Sequence, residues 1–409
     1  MNEKSLKANM LWNSAGSIYY SGCQWLITVL VARLSTSFEA AGSLAVAMSI
    51  SNIFAQIGLF RIRSYQVSDV HEEVSSGEYV GFRLITISLG FAITVIYMVV
   101  SCAPNSYASV LLYLVFRAGD VFIDVLHGID QQHYRMDYCG KSMLMRSTLF
   151  LIAFAGGMML FNQLEAALLG MVLFTYPIII YDLRAASKFS SVIPTMSATR
   201  FRELFSECLP AVLGMALCSL VVTYSRQYLG IIDGESALGV YSTVCTPIVI
   251  IQACVNYVYA PLLGMYAEYF EKRQKHEFMR LLLKTLLMVA GFFVVCSLGF
   301  VLFGKNLFDF VFGSEIANNT DLIYAGLVAS MMTALIAFFS DLLIALRDMR
   351  GCLIGNLIAC TFSFPLTWFF VNNYGMNGVS FAVSLSYAVG VLILSYRLEL
   401  RVRRIESEQ

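Results

Sequence analysis

The chain has 409 residues, 58% of them apolar and 13% charged, with a mean hydropathy of +0.71. Soluble domains carry roughly 25% charged residues, so this composition excludes an ordinary soluble protein and, equally, a disordered one. Lys plus Arg and Asp plus Glu balance at 27 each, which argues against a basic nucleic-acid binder. A polytopic helical membrane protein remains, with length for on the order of twelve spans.

Lys4 and Lys7 precede an apolar run from Met10 to Ala32. The run is too long for a signal-peptide core, so a retained first span is expected. Further runs fall at 40–60, 82–103, 107–128, 142–161, 164–182, 207–230, 237–262, 281–303, 322–346, 351–371 and 377–396. They are continuous rather than alternating, which predicts helices and not a barrel. The ten cysteines lie mostly inside these runs without CxxC spacing and read as small apolar residues, not bridges or metal ligands.

Even-numbered connections and the two termini hold 23 of the 27 Lys and Arg, among them Arg61, Arg63, Arg83, Arg135, Lys141 and Arg146. That bias predicts both termini on the cytoplasmic side of the membrane. The longest connection, Leu183–Ser206, divides six spans from six. The expected organisation is an N-terminal lobe over 1–184, a cytoplasmic linker over 185–206 and a C-terminal lobe over 207–409 with a basic tail. Both the linker and the basic stretch Glu271–Arg280 are expected to be solvated connectors.

The halves echo one another. Asn52 and Gln56 in the second span, and Gln252 and Asn256 in the eighth, are i, i+4 pairs that each share a face. Arg33 near the end of span 1 has a counterpart in Arg226 of span 7, and Gly42 one in Gly239. Asp124 in span 4 is matched with Asp341 in span 10. A duplicated six-helix unit follows, with the copies in parallel orientation, an arrangement found in transporters whose substrate site lies at the repeat interface.

A charge in a span costs roughly 2.5–3.5 kcal/mol on insertion scales and needs a partner or water. At about 100° per residue, Tyr113, Arg117, Asp120, Asp124 and His127 fall on one stripe of span 4. Two readings stand: an Arg117–Asp120 ion pair locking the bundle, or a wetted cavity wall that binds substrate or protons. Span 1 carries a second stripe of Asn13, Ser17, Tyr20, Gln24 and Thr28, readable as interhelical hydrogen bonding or a wet face. Arg33 and Arg226 either snorkel to the headgroups or face a cavity. Arg grips phosphate with a forked pair of bonds. The candidate substrate residues are therefore Arg117, Arg226, Arg33, Tyr113, Asn52, Gln56, Gln252, Asn256 and Gln24. A buried carboxylate that carries a proton is the complementary expectation for Asp120, Asp124 and Asp341. Gly351-x-x-x-Gly355 predicts close helix packing.

Gly140-Lys141-Ser142 matches the end of a phosphate loop, but Arg135 stands where the first glycine is required. No GxGxxG, HExxH or GxSxG is found. Asn318-Asn319-Thr320 is a sequon in an outer loop. A non-enzymatic protein without cofactor or metal is expected.

The segments NMLWNSAGS, LVARLSTSFEAAGSLAVAMSI, GLFRIRSYQVSD and FRAGDVFIDVLHGIDQQHYRMDYCGKS resemble the Wzx-type oligosaccharide flippases of the multidrug/oligosaccharidyl-lipid/polysaccharide (MOP) exporter superfamily. The second half follows through CLPAVLG, ALGVYSTV and YGMNGVSFAVSLSYAVG. The resemblance implies an all-α integral membrane fold, two six-helix parallel repeats around a central cavity, in the bacterial inner membrane. It implies flipping of undecaprenyl-pyrophosphate-linked oligosaccharide for O-antigen, capsule or exopolysaccharide by alternating access. Lipid-linked oligosaccharide and membrane lipids, with a glycan polymerase and a chain-length regulator, are the partners it implies. Arg33, Arg117 and Arg226 are the positions that match the family's basic cavity. Cation-coupled drug antiport on the same fold and a membrane-embedded polymerase are the rival readings.

Overall fold

The computed structural model describes the chain apart from residues 1–2, 35–37, 103, 235–236, 238–239, 242–243, 246–251, 253–254, 313–320 and 408–409. The sequon at Asn318, Gly239, Pro247 and Cys254 lie outside the described residues. The chain separates into two compact units, Met1–Cys208 and Leu209–Gln409. Among the described residues the secondary structure is helical, without strands.

Unit 1 contains α1 (Glu3–Leu34), α2 (Phe38–Leu59), the short α3 (Ile62–Val67), α4 (Ser76–Ser101), α5 (Tyr107–Gln132), α6 (Met136–Phe161), α7 (Leu164–Ala186) and the start of α8 (Ala198–Ile232). Unit 2 contains the rest of α8, then α9 (Leu263–Glu271), α10 (Lys275–Phe312), α11 (Leu322–Ala345) and α12 (Met349–Ser407). α12 comprises two arms bent at Gly375, whose φ of 53° is open to glycine at no steric cost. Among the described residues, eight helices are long and apolar enough to cross a membrane, and α12 counts once despite its two arms. α1, with its polar stripe, and α5, with Arg117, Asp120 and Asp124, are not among them.

Local chemistry sets several boundaries. Ser75 and Glu78 form a capping box at the start of α4, each side chain accepting from the other's backbone N–H. Arg61, with φ 55°, turns the chain from α2 into α3. The connector after α7 departs from its expected solvated form. The Thr195 amide donates to the Gly77 carbonyl at 3.0 Å, and α8 begins at Ala198. Phe205 stacks on Phe60 at 4.9 Å and Phe201 lies 5.3 Å from Phe82. Arg200 pairs with Glu78 at 3.2 Å, and the Tyr65 hydroxyl donates to Glu207. The strap's apolar and charged side chains thus have partners on unit 1, which sequence polarity alone does not reveal.

The two units repeat one architecture down to single backbone positions. Positive φ recurs at Glu72 and Arg273, at Tyr134 and Arg347, and at Asn162 and Gly375. Both members of the last two pairs stand 213 residues apart. Arg135 N–H bonds the Asp130 carbonyl at 2.8 Å, and Asp348 N–H bonds the Leu343 carbonyl at the same distance. Helix crossings repeat as well. A Cβ on Gly16 would lie 2.8 Å from the Gly140 backbone, and one on Gly214 would lie 3.0 Å from Leu353. This register places Asp341 opposite Gly128 rather than Asp124, one turn away from the match expected from sequence.

In the Gly351-x-x-x-Gly355 segment the two glycines differ in role. Gly355 meets the Leu394 side chain, as close packing requires, whereas Gly351 receives the Asp348 carboxylate, its amide donating at 2.9 Å. Seven of the nine described cysteines are buried.

The Gly16–Gly140 crossing holds α1 against α6, and a Cβ at Gly140 would stand 2.4 Å from the Trp12 carbonyl oxygen. Gly140→Val is expected to cost about 1–3 kcal/mol through overpacking, lowering the melting temperature of the detergent-solubilised protein by several degrees. Gly156→Val, on the same helix with nothing within 4 Å of its Cβ, is expected to leave it near the wild-type value.

Candidate functional site

The polar stripe of α5 is the centre of unit 1, and its middle residue is Asp120. Arg117 Nη1 donates to Asp120 Oδ2 at 2.9 Å, and the Tyr20 hydroxyl donates to the same oxygen at 2.5 Å. Arg146 Nη1 stands 3.0 Å from Asp120 Oδ1 in ion-pair contact, while Arg146 Nε has no hydrogen-bond partner. The Arg146 guanidinium also lies 5.0 Å over the Tyr20 ring. Gln24 donates to the Tyr20 hydroxyl at 3.0 Å and accepts from Tyr113 at 3.2 Å. Behind this network Tyr20, Phe116 and Phe150 meet edge to face, and Tyr113 packs on Phe116.

Two guanidiniums therefore share one carboxylate. Asp120 and Arg146 keep only 9% and 7% of their side-chain surface exposed, but Arg117 keeps 22%. Arg does not deprotonate in proteins, so the contacting groups carry a surplus positive charge at any physiological pH. Arg117 is the least buried of the three charged groups.

One turn further along α5 a second node repeats the stoichiometry. Asp124 accepts from Arg63 at 3.0 Å and from Arg83 at 2.7 Å. Arg83 is fully buried and also donates to the Gly58 carbonyl at 2.7 Å, an oxygen that accepts from Thr86 as well. Arg63 reaches Gln131 at 3.0 Å. Beyond it, buried His127 and Ser142 contact Asp182 at 3.3 and 2.8 Å.

Sequence reasoning put Tyr113, Arg117, Asp120, Asp124 and His127 on one stripe of span 4 and Gln24 on a separate stripe of span 1. The structure links Gln24 to Tyr113 and, through Tyr20, to Asp120 and Arg117, and it adds partners that the sequence reading missed. Arg63, Arg83 and Arg146 had been counted with the charged connections, whereas the fold turns all three onto α5. Each lies near the edge of an apolar run, where chain position alone does not separate a loop cation from a buried one. Tyr113 also differs from expectation: at 3% exposure it belongs to the packed aromatic cluster rather than a wet wall.

The remaining candidates lie elsewhere. Asn52 and Gln56 sit on an exposed face of α2, and Arg33 is exposed in the last turn of α1, where a cation favours the helix dipole. In unit 2, Arg226 on α8 is half-buried with its guanidinium 5.9 Å from the Tyr241 ring. The Tyr241 hydroxyl is hydrogen-bonded to Ser380 at 2.9 Å. Gln252 is half-buried. Asn256 donates to the Tyr259 hydroxyl at 2.8 Å, and that hydroxyl donates to Asp341 at 2.9 Å. Tyr259, unnoticed in the sequence, thus joins two residues that were singled out separately.

Asp120→Ala would leave Arg146 buried without its counter-charge, a loss of about 3–5 kcal/mol. The double variant Asp120→Ala/Arg146→Met is expected to recover a large part of it, as measured by melting of the purified protein. Equal losses in the single and double variants would show that the pair is not coupled.

No family model matches the chain. It is similar to the capsular polysaccharide biosynthesis protein CapF of Staphylococcus aureus, with 26% identity over 383 residues covering 92% of this chain and 88% of that protein. Its structure is similar to the Vibrio cholerae MATE transporter VcmN in the bent form, with a TM-score of 0.76 and 14% identity over 98% of this chain and 97% of that one. It is likewise similar to a MOP-superfamily transporter from Pyrococcus furiosus, with a TM-score of 0.78 and 14% identity over 98% and 97% of the two chains. The chain has the fold of the MOP-superfamily transporters.

Proposed function

We propose that the protein translocates a lipid-linked oligosaccharide, carried on a polyprenyl diphosphate, across the bacterial inner membrane for capsule or related surface-polysaccharide synthesis. One observation carries the reading: a carboxylate shared by Arg146, Tyr20 and Arg117 leaves surplus positive charge on a cluster whose least buried member, Arg117, keeps 22% of its side-chain surface exposed. Such a group attracts a diphosphate, and the guanidinium fork matches phosphate oxygens. It repels an organic cation. The similarity to a capsular polysaccharide biosynthesis protein supports the same substrate class.

In this reading Arg117 receives the diphosphate, Asp120 and Gln24 orient the groups around it, and Arg226 is a separate candidate cation within unit 2. Asp120 and Asp124 act as counter-ions that hold arginines in place, and Asp341, bonded to Tyr259, is the candidate proton carrier. Alternating access of the two units moves the headgroup while the lipid tail stays in the bilayer. In this reading both termini lie in the cytoplasm, which the charge bias of the connections supports.

Cation-coupled drug antiport is the second reading, and the MATE transporter likenesses favour it. In a strain lacking its own flippase and complemented with this chain, Arg117→Ala is expected to abolish surface glycan at unchanged protein level, and Arg117→Lys to retain part of it. Full export by Arg117→Ala would defeat the assignment.

A further inference from the structure

Away from α5, three cations of unit 1 converge on a single tyrosine at the basic ends of α6 and α7. The Arg135 guanidinium lies 4.4 Å from the Tyr138 ring centroid, and Lys188 Nζ lies 5.0 Å from it. Lys141 Nζ lies 5.9 Å from the same ring and 5.4 Å from the Trp12 ring on α1. Lys188 also donates to the Tyr138 hydroxyl at 3.4 Å. The carboxylate in direct contact with them is Asp137, engaged by Arg135 at 2.8 Å and Lys141 at 3.5 Å, with the more buried Asp130 also interacting with Arg135. Three exposed cations therefore gather around one exposed carboxylate, where each cation raises the electrostatic energy of the others. Ring quadrupoles offset only part of that repulsion.

The surroundings are those of a membrane–water boundary. Trp12 and Tyr138, amphipathic rings of the kind enriched at that level, flank the cations. From here α1 and α6 run side by side in the same direction: Ser17 meets Met143 at 3.3 Å and Tyr19 meets Thr148 at 3.1 Å. Tyr19 and Met145 are exposed beside this seam, and α6 continues from the cations as an apolar helix long enough to cross a membrane. A charged end continuous with the exposed side chains of an apolar helix fits an amphiphile with an anionic head.

We infer that Arg135, Lys141 and Lys188, arranged around Tyr138, form a binding site for the phosphate headgroup of an anionic phospholipid of the surrounding bilayer, whose acyl chain lies along the α1–α6 seam. The site is separate from the Arg117 node and stands without the proposed transport activity. Bound lipid would supply the missing negative charge and fix the basic end of unit 1 at the boundary.

Native mass spectrometry of the full chain in detergent, titrated with cardiolipin, phosphatidylglycerol or phosphatidylcholine, tests this. Wild-type protein is expected to retain the two anionic lipids over phosphatidylcholine. Lys141→Gln/Lys188→Gln is expected to weaken that binding by roughly 30-fold, from the energy per basic residue at an anionic surface. Lys141→Arg/Lys188→Arg is expected to keep it, as is Lys272→Gln/Arg403→Gln, which removes two exposed cations of unit 2. Equal retention of all three lipids by wild type, or undiminished anionic-lipid binding by the Gln variant, would overturn the site. Displacement of the lipid by inorganic phosphate alone, or preference for a short isoprenyl diphosphate, would overturn the assignment to a bilayer lipid.

Discussion

One carboxylate held between two guanidiniums governs the interior of unit 1. Removing Asp120, Arg117 and Arg146 from water costs more than a single pairing returns, and the fold offsets that cost with several contacts to one carboxylate. Tyr20 and Arg117 take one carboxylate oxygen, Arg146 faces the other, and Gln24 ties Tyr20 to Tyr113. The aromatic cluster behind them limits water on that side and strengthens each interaction. An arginine cannot relieve the excess charge by losing a proton, so the surplus is a fixed property of the site.

The second unit shows that this arrangement is not demanded by the architecture. In the register set by the repeated turns and glycine crossings, Tyr20, Asp120 and Arg146 correspond to Cys218, Thr333 and Ala359. Thr333 bonds the Ala329 carbonyl of its own helix, and Cys218 and Ala359 are buried as small side chains. A six-helix unit of this kind therefore closes without ions at these positions. The charges of unit 1 lower the apolar content of its core, and that cost is explained by a task beyond folding. Unit 2 has its own polar chain, Asn256–Tyr259–Asp341, which is built on a hydroxyl rather than a guanidinium and has a different chemical character.

Much of this was legible in the sequence because it is periodic. The spacing of Tyr113, Arg117, Asp120 and Asp124 put them on one face of α5 before any tertiary information, and Arg117 with Asp120 formed one of the two readings offered. The duplicated organisation was visible in outline, although the pairing of Asp124 with Asp341 was one turn out of register. What stayed hidden depends on packing between distant segments. Arg83, fully buried against Gly58 and Asp124, has the same local sequence character as a headgroup-facing arginine. Arg146 lies one turn inside the apolar run that starts at 142, and only the approach of α1 and α5 reveals its role. The connector after α7 looked solvated because its polar residues are visible in sequence, while the partners of Phe201, Phe205 and Glu207 are not.

The central claim is that the fixed surplus charge at Arg117 selects an anionic headgroup. Isothermal titration of the purified full-length protein with an isoprenyl diphosphate and, separately, with a lipophilic organic cation tests it most directly. The account predicts heat from the diphosphate, lost in Arg117→Ala, and none from the cation. Saturable cation binding with no response to the diphosphate would contradict it.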